Sequence, residues 1–445
     1  MKFNSGILAN HLKALESKVM QPSRYIVALS GGLDSVVLLH ALKNYLTEHK
    51  STIPLIAIHI NHCLQAQSQN WVEECEAITK KLDIVFKSIN VKVDLNSGRG
   101  LEASARNARY SALLREMQPN DWLITAHHQE DQAETLLINL IRGSGIAGIS
   151  GISKFRKFGL GWIVRPMLNI AKDNLISYAN ENSLDWIEDP SNIDLDFDRN
   201  FLRHEIITSL KKRWPSVSEC LCRSSAHAGE ASQLLFELAE IDLKKICSDS
   251  SKIPISKLLE LAPARQRNLI RFAFQKLKLN MPSTVKLKLI FSELIFARQD
   301  SQPLIRWDGV IVRRYRDNLY LMSDKEMPYL YPLTISGNEL FLGPGMGSLN
   351  FEISENIGLS KELFDKGLTV KRRAGGEKII PYNHTHRKEL KKLLQEKGIV
   401  PWMRNQVPLV YSGRELVAVG DLWISKDAIS EPGIKVRWID RPELH

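Results

Sequence analysis

Six residues, Ser30-Gly31-Gly32-Leu33-Asp34-Ser35, join an apolar run, Tyr25 to Leu29, to an amphipathic run that begins at Val36. The order reads as strand, glycine turn and helix start, which commits this part of the chain to a β-α unit. Two glycines permit unusual backbone angles and close approach, the N–H groups of the helix start face an anion, and Ser30 and Ser35 add hydroxyl donors. Asp34 sets a carboxylate where a phosphate-bound Mg²⁺ would need one. The loop lacks the lysine of the G-x-x-x-x-G-K-[ST] pattern, which occurs nowhere else in the chain, so ordinary γ-phosphate hydrolysis is a poor expectation.

Up to Trp214 short apolar runs alternate with helical patterns. Strands are expected over Leu55–Ile60, Ile84–Ile89 and Trp122–Ala126, with helices over Trp71–Leu82, from Leu101 to about Met117, and from Gln129 to about Arg142. Such alternation implies an α/β fold, a Rossmann-like parallel sheet with helices on both faces, whose ligands bind beyond the carboxyl ends of the strands. Ser30, His59, Asn61 and His127 all fall at those ends. Beyond Trp214-Pro215 the alternation stops. A mainly helical stretch follows to about residue 300, then a strand pair near Val310–Arg314 and Leu319–Met322, and from Tyr331 a small α+β segment. The expected domains are 1–215, 216–328 and 329–445. Gly343-Pro344-Gly345-Met346-Gly347 superficially resembles a phosphate loop, but no strand-to-helix pattern surrounds it, and a surface turn is expected.

A chain of 445 residues holds about two to four domains with cores of their own. No apolar stretch nears the roughly 18 residues of a membrane span, and the mixed charges of the first twenty residues do not make a signal peptide. Five scattered cysteines (Cys63, Cys75, Cys220, Cys222, Cys247) lack zinc or redox spacing, which suits a reducing cytoplasm. The formal charge of +10 favours a polyanionic partner. Its distribution is telling: Lys371 to Lys397 carries nine Lys or Arg against three Glu.

Two further constellations bear on chemistry. Glu102, Arg106 and Arg109 share one face of the helix from Leu101, where guanidiniums could hold phosphate oxygens; spacing alone reads more readily as a solvated face with a weak ion pair. His127-His128-Gln129-Glu130-Asp131-Gln132-Ala133-Glu134 ends a strand and opens a helix with three acids. Acids at a helix N-terminus are favourable through the dipole in any case, but their position at the sheet edge used by the glycine loop suits Mg²⁺ and an amine together. His59 and His62 read as satisfied polar residues near a nucleotide rather than as metal ligands.

The hexapeptide resembles the pyrophosphate loop of the N-type ATP pyrophosphatases, which cleave ATP between the α and β phosphates. Further segments resemble the tRNA(Ile)-lysidine synthetases: Glu102 to Tyr110, His127 to Thr135, Arg142-Gly143-Ser144-Gly145, Trp186 to Asn192 with Asp198-Arg199-Asn200 and Arg203, and Arg372-Arg373-Ala374-Gly375-Gly376-Glu377-Lys378 continued through Pro401-Trp402. The likeness runs nearly end to end. Two positions depart from it: Glu130 stands where the family usually has aspartate, and Cys63 where a glycine commonly follows the histidine.

The resemblance implies an ATP-dependent ligase that adenylates the wobble cytidine of a CAU-anticodon isoleucine tRNA, then lets the ε-amine of free L-lysine displace AMP. It implies that Ser30, Gly31, Gly32, Leu33, Asp34, Ser35, His59, Arg106 and His127 bind ATP, that Asp34 and Asp131 hold Mg²⁺, and that Arg109 steadies the α-phosphate or the adenylated base. Glu134 would bind lysine and take its proton. Arg199, Arg203, Arg372, Arg373, Arg387, Lys388, Lys391 and Lys392 would contact the tRNA, the last three lysines at helical spacing. A tRNA-thiolating relative and a non-catalytic tRNA-binding protein are the competing readings. The first normally wants a close cysteine pair, and Cys63 and Cys75 are twelve apart. The oligomeric state, a homodimer included, stays open.

Overall fold

The computed structural model describes residues 2–64, 67–94, 100–298, 303–324 and 332–444, without the side chain of Glu102. They form two compact units, Met1–Leu238 and Ala239–His445.

In the first unit the helices are α1 (Ser5–Glu16), α2 (Leu33–Glu48), α3 (Ser68–Lys81), α4 (Leu101–Glu116), α5 (Gln129–Ile141), α6 (Ile146–Ile149), α7 (Lys172–Glu181), α8 (Asp198–Phe201), α9 (Thr208–Arg213) and α10 (Val217–Ile246), the last running on into the second unit. The strands are β1 (Arg24–Ala28), β2 (Leu55–Asn61), β3 (Val85–Asn90), β4 (Asp121–Ile124), β5 (Phe155–Phe158) and β6 (Gly161–Val164). They lie in the order β3-β2-β1-β4-β6-β5, parallel except for β5 at the edge.

Strand residues alternate between two apolar layers, which is why β1 reads as a continuous hydrophobic run. Tyr25 and Val27 pack with α1 and α2, while Ile26 joins Ile58, Leu113, Leu123 and Ile163 on the other face. The chain steps outward from β1 to β2 and β3, then returns to place β4 on the other side of β1. That reversal opens a crevice at the carboxyl ends of β1 and β4, where open α/β sheets bind ligands. At the opposite end Arg24 Nε donates to Asp121 Oδ1 at 3.2 Å, and the fully buried Asp121 also accepts from the backbone N–H of Gln118 at 2.8 Å.

Among the described residues of the second unit, the expected strand pair is part of a four-stranded antiparallel sheet, flanked by Lys252–Pro254 and Leu304–Trp307 and packed against the helix Pro263–Lys276. Those outer strands are three and four residues long and carry Lys, Pro and Arg, too little period-2 pattern to read from sequence. Residues 333–439 add two five-stranded antiparallel sheets with short helices Lys361–Asp365 and Leu390–Glu396. Gly343 to Gly347 is a turn between strands, closed by the N–H of Leu342 donating to Gly347 O at 2.9 Å. One expectation needs correction. Lys388 lies in the short strand Lys388–Glu389, before the helix that carries Lys391 and Lys392, so the three lysines do not share a helical face. No described helix is long and apolar enough to cross a membrane.

Candidate active site

The glycine loop sits at the end of β1 with Gly32 as the cap of α2. Gly31 has φ +85°, and a Cβ there would lie 2.3 Å from Ile187 Cδ1 and 2.9 Å from Cys75 Sγ. Both the angle and the close approach therefore require glycine. The N–H of Ile187 donates to Gly31 O at 2.9 Å, so the segment Trp186 to Asn192 is laid directly on the loop. Ser35 closes it from within: its hydroxyl donates to Gly32 O at 2.9 Å and accepts from the N–H of Ser30 at 3.2 Å. Gly31→Ala is expected to add strain on the order of 1–3 kcal/mol, confined to this turn. Nucleotide affinity, measured by equilibrium dialysis, should fall about tenfold or more while the melting temperature drops by a few degrees; unchanged affinity would remove the loop from the binding site.

Beside the loop lies a cavity of about 370 Å³, lined by Leu29, Ser30, His59, Trp71, Arg109 and Ile187 among others. That volume suits a nucleoside. His59 Nδ1 pairs with Leu29 O at 3.0 Å, and burial lowers its pKa. His62 Nε2 accepts from Arg109 Nε at 3.3 Å; burial, together with the Arg109 charge, holds its pKa down at about 4. Both rings are thus neutral, partnered groups of the cavity region, and no group of three or more potential metal ligands occurs among the described residues. Cys63 adopts φ +53°, the left-handed conformation that the glycine common in the family takes without cost. Asn61 Oδ1 accepts its N–H at 2.9 Å and supports that turn.

Across the crevice, α5 gathers the acids. His128 caps the helix, with its ring among three carboxylates: Nε2 is 3.5 Å from Asp34 Oδ2 and 3.6 Å from Asp131 Oδ2, and Nδ1 is 3.2 Å from Glu130 Oε2. Burial alone would lower the His128 pKa, but Asp131, Asp34 and Glu130 carry it up to about 9. Nδ1 is also 3.2 Å from the backbone N of Glu130, where it could only accept. An imidazolium donates from Nδ1 to Glu130 Oε2, whereas the neutral ring protonated at Nε2 accepts the Glu130 N–H there and caps the helix.

Burial works against ionisation of Asp34 and Asp131, yet His128 with Lys172 at the first, and His128 with Arg199 at the second, hold both below the usual carboxylate range. Asp34 Oδ2 and Asp131 Oδ2 lie 3.5 and 3.6 Å from one atom beside the glycine loop, His128 Nε2. Two ionised hard donors so placed fit Mg²⁺, whose other ligands would come from phosphate and water. In this structure the His128 ring lies between them.

Glu134 is fully buried and doubly engaged. Arg199 Nε and Arg203 Nε reach its two oxygens at 2.7 Å each, and their Nη2 atoms lie 3.1 and 3.4 Å from Asp131 Oδ1. Glu130 accepts from Lys211 Nζ and from the backbone N–H of Lys172, both at 2.9 Å; against burial, His128 and Lys211 bring its pKa down to about 2. Lys172 Nζ is 2.6 Å from Asp34 Oδ1. Of the remaining expected residues, Arg106 stacks over Tyr110 at 5.1 Å, and His127 pairs with Thr125 Oγ1 at 2.9 Å, its pKa pushed down to about 3 by burial.

The basic residues of the second unit have their own settings. Arg372 Nη2 donates to Gln406 Oε1 at 2.7 Å, and Arg373 pairs with Glu377, whose Oε1 also accepts the N–H groups of Ala374 and Gly375. Arg387, Lys391 and Lys392 are exposed.

Comparison with known proteins follows the same division. Residues 5–210 match the family model of the PP-loop domain, 253–320 that of the TilS substrate binding domain and 368–438 that of the TilS substrate C-terminal domain. Curated relatives are the tRNA(Ile)-lysidine synthases of Coxiella burnetii, 40% identical over 89% of this chain and 88% of that protein, and of Alkalilimnicola ehrlichii, 37% identical over 96% and 95%. The chain belongs to the tRNA(Ile)-lysidine synthase family. Its PP-loop domain makes it an ATP-using enzyme, and the two TilS domains separate it from PP-loop enzymes of other kinds.

Side chains of this tRNA(Ile)-lysidine synthase family member that sequence reasoning did not assign are His128, Lys172, Lys211 and Ile187. His128 and Ile187 lay inside segments already singled out. Lys172 and Lys211 carried no signal, because a lysine at a helix start or end has the look of any solvated residue.

Proposed function

We propose that the chain converts the wobble cytidine of a CAU-anticodon isoleucine tRNA to lysidine, in the cytoplasm, as its free thiols suit. The cytosine O2 attacks the α-phosphorus of ATP and pyrophosphate leaves. The ε-amine of lysine then attacks carbon 2, the C–O bond breaks, AMP departs with that oxygen, and the amine loses its protons to solvent. The observation that carries this reading is the crevice itself: a phosphate loop and a cluster of four acids meet at the ends of β1 and β4, in a chain that also holds both TilS domains.

Ser30, Gly31, Gly32, Leu33 and Ser35 cradle the pyrophosphate, while His59, Arg106 and His127 border the nucleotide. Asp34 and Asp131 hold Mg²⁺, which neutralises phosphate charge when bound. Arg109, steered by His62, faces the α-phosphate or the activated base. Glu134 takes the ε-ammonium of lysine. Deprotonating that group at pH 7 costs about 4.6 kcal/mol, and a carboxylate held beside it can relay the proton on to solvent. Arg199 and Arg203 hold Glu134 first, so contact with tRNA phosphates would have to share their forks.

The basic segment of the second unit binds the RNA backbone, and domains 1–215, 216–328 and 329–445 divide catalysis from tRNA recognition. Neutralising Arg387, Lys388, Lys391 and Lys392 together is expected to weaken tRNA binding and to flatten the slope of affinity against salt, by about one unit for each phosphate no longer neutralised. ATP binding should survive; its equal loss would point to misfolding instead. Incubation with labelled lysine, ATP, Mg²⁺ and an isoleucine tRNA transcript tests the whole reading. Label should enter the RNA, and enter only with ATP present; pyrophosphate release without lysine incorporation would defeat it.

A further inference from the structure

The glycine loop has no lysine of its own, yet an ammonium stands at the start of its helix. Lys172, the first residue of α7, brings Nζ within 2.6 Å of Asp34, the second residue of α2. The positive end of a helix repels a cation unless an anion lies with it. Lys172 is fixed at its backbone as well, since its N–H donates to Glu130 Oε2 at 2.9 Å, and Oε1 of the same carboxylate takes Lys211. Around Asp34, Glu130, Asp131 and Glu134 the described residues place Lys172, Arg199, Arg203 and Lys211, four cations against four carboxylates.

We propose that Lys172 is a phosphate-contacting residue, supplying from α7 the ammonium that other phosphate loops carry within the loop, and that Glu130 positions it. The side chain of Lys172 is 34% exposed, so Nζ can swing from Asp34 to a phosphate oxygen without movement of α7. Glu130, one of the two residues that depart from the family pattern, is one methylene longer than aspartate and reaches the start of α7. The proposal rests on the nucleotide site described above.

The test is equilibrium binding of α,β-methylene-ATP and of AMP to the full chain, by calorimetry with EDTA present so that no divalent ion masks the ammonium. Lys172→Met should weaken the triphosphate analogue tenfold or more and leave AMP within twofold, and Lys172→Arg should regain most of the loss. Glu130→Gln should give a smaller, selective loss of the same sign. Unchanged affinity of Lys172→Met for the analogue, or equal loss for AMP, overturns the assignment. A wild-type chain that bound neither nucleotide would instead sink the underlying site, and Lys172 with it.

Discussion

Asp34→Ala is expected to lose pyrophosphate release by a factor of about 10²–10³ or more, with tRNA, lysine and ATP all present. Asp34 stands between two cationic neighbours, Lys172 at 2.6 Å and His128 at 3.5 Å, at the start of the helix that follows the glycine loop. Removing its carboxylate takes one of two hard oxygen donors from the crevice and leaves Lys172 without the carboxylate it pairs with, while His128 keeps Glu130 and Asp131. The fold should tolerate the change, because Lys172 is partly exposed and can turn to water. A pyrophosphate assay at saturating Mg²⁺ and a melting curve together read the two effects. A wild-type rate would show that Asp34 takes no part in the α,β cleavage.

Glu134 should behave differently, because its effect reaches stability as well as chemistry. Glu134→Ala would leave Arg199 and Arg203 without the buried carboxylate that both Nε atoms reach at 2.7 Å. Breaking a buried pair costs about 3–5 kcal/mol; partial exposure of both guanidiniums puts this one at the lower end. The melting temperature should drop by roughly 5–10 °C. Glu134→Gln keeps the shape and one acceptor, so it should fold better yet raise the KM for lysine at least tenfold while ATP binding holds. If Glu134→Gln used lysine as the wild type does, the ε-amine would have to be bound elsewhere.

The parts of this architecture legible in the sequence were those with strong local patterns. The central strands and helices α2 to α5 follow from apolar runs and helical periodicity, and the glycine loop follows from its own six residues. The edge hairpin of β5 and β6 escaped notice: its strands are four residues long and Phe155-Arg156-Lys157-Phe158 mixes cations with aromatics. In the site, the acids of α5 were visible because they cluster. Their partners were not, because Arg199, Arg203, Lys172 and Lys211 come from segments 42 to 81 residues beyond the acids of α5 that they reach, or, for Lys172 and Asp34, 138 apart. Spacing rules describe neighbours on one element and say nothing about which distant side chain will arrive.

The two ends of β1 and β4 have divided their duties. At the lower end Arg24 and Asp121 tie the strands through a buried ion pair remote from any phosphate, and at the upper end Ser30 and His128 open onto the crevice. Lesions at the lower end weaken the sheet without touching a reacting atom, so cooler growth would forgive them. Those at the upper end that spare Gly31 and Glu134, as Asp34→Ala does, would leave a well-folded but inert protein at every temperature, and a strain dependent on it would lack lysidine however much of the chain it made.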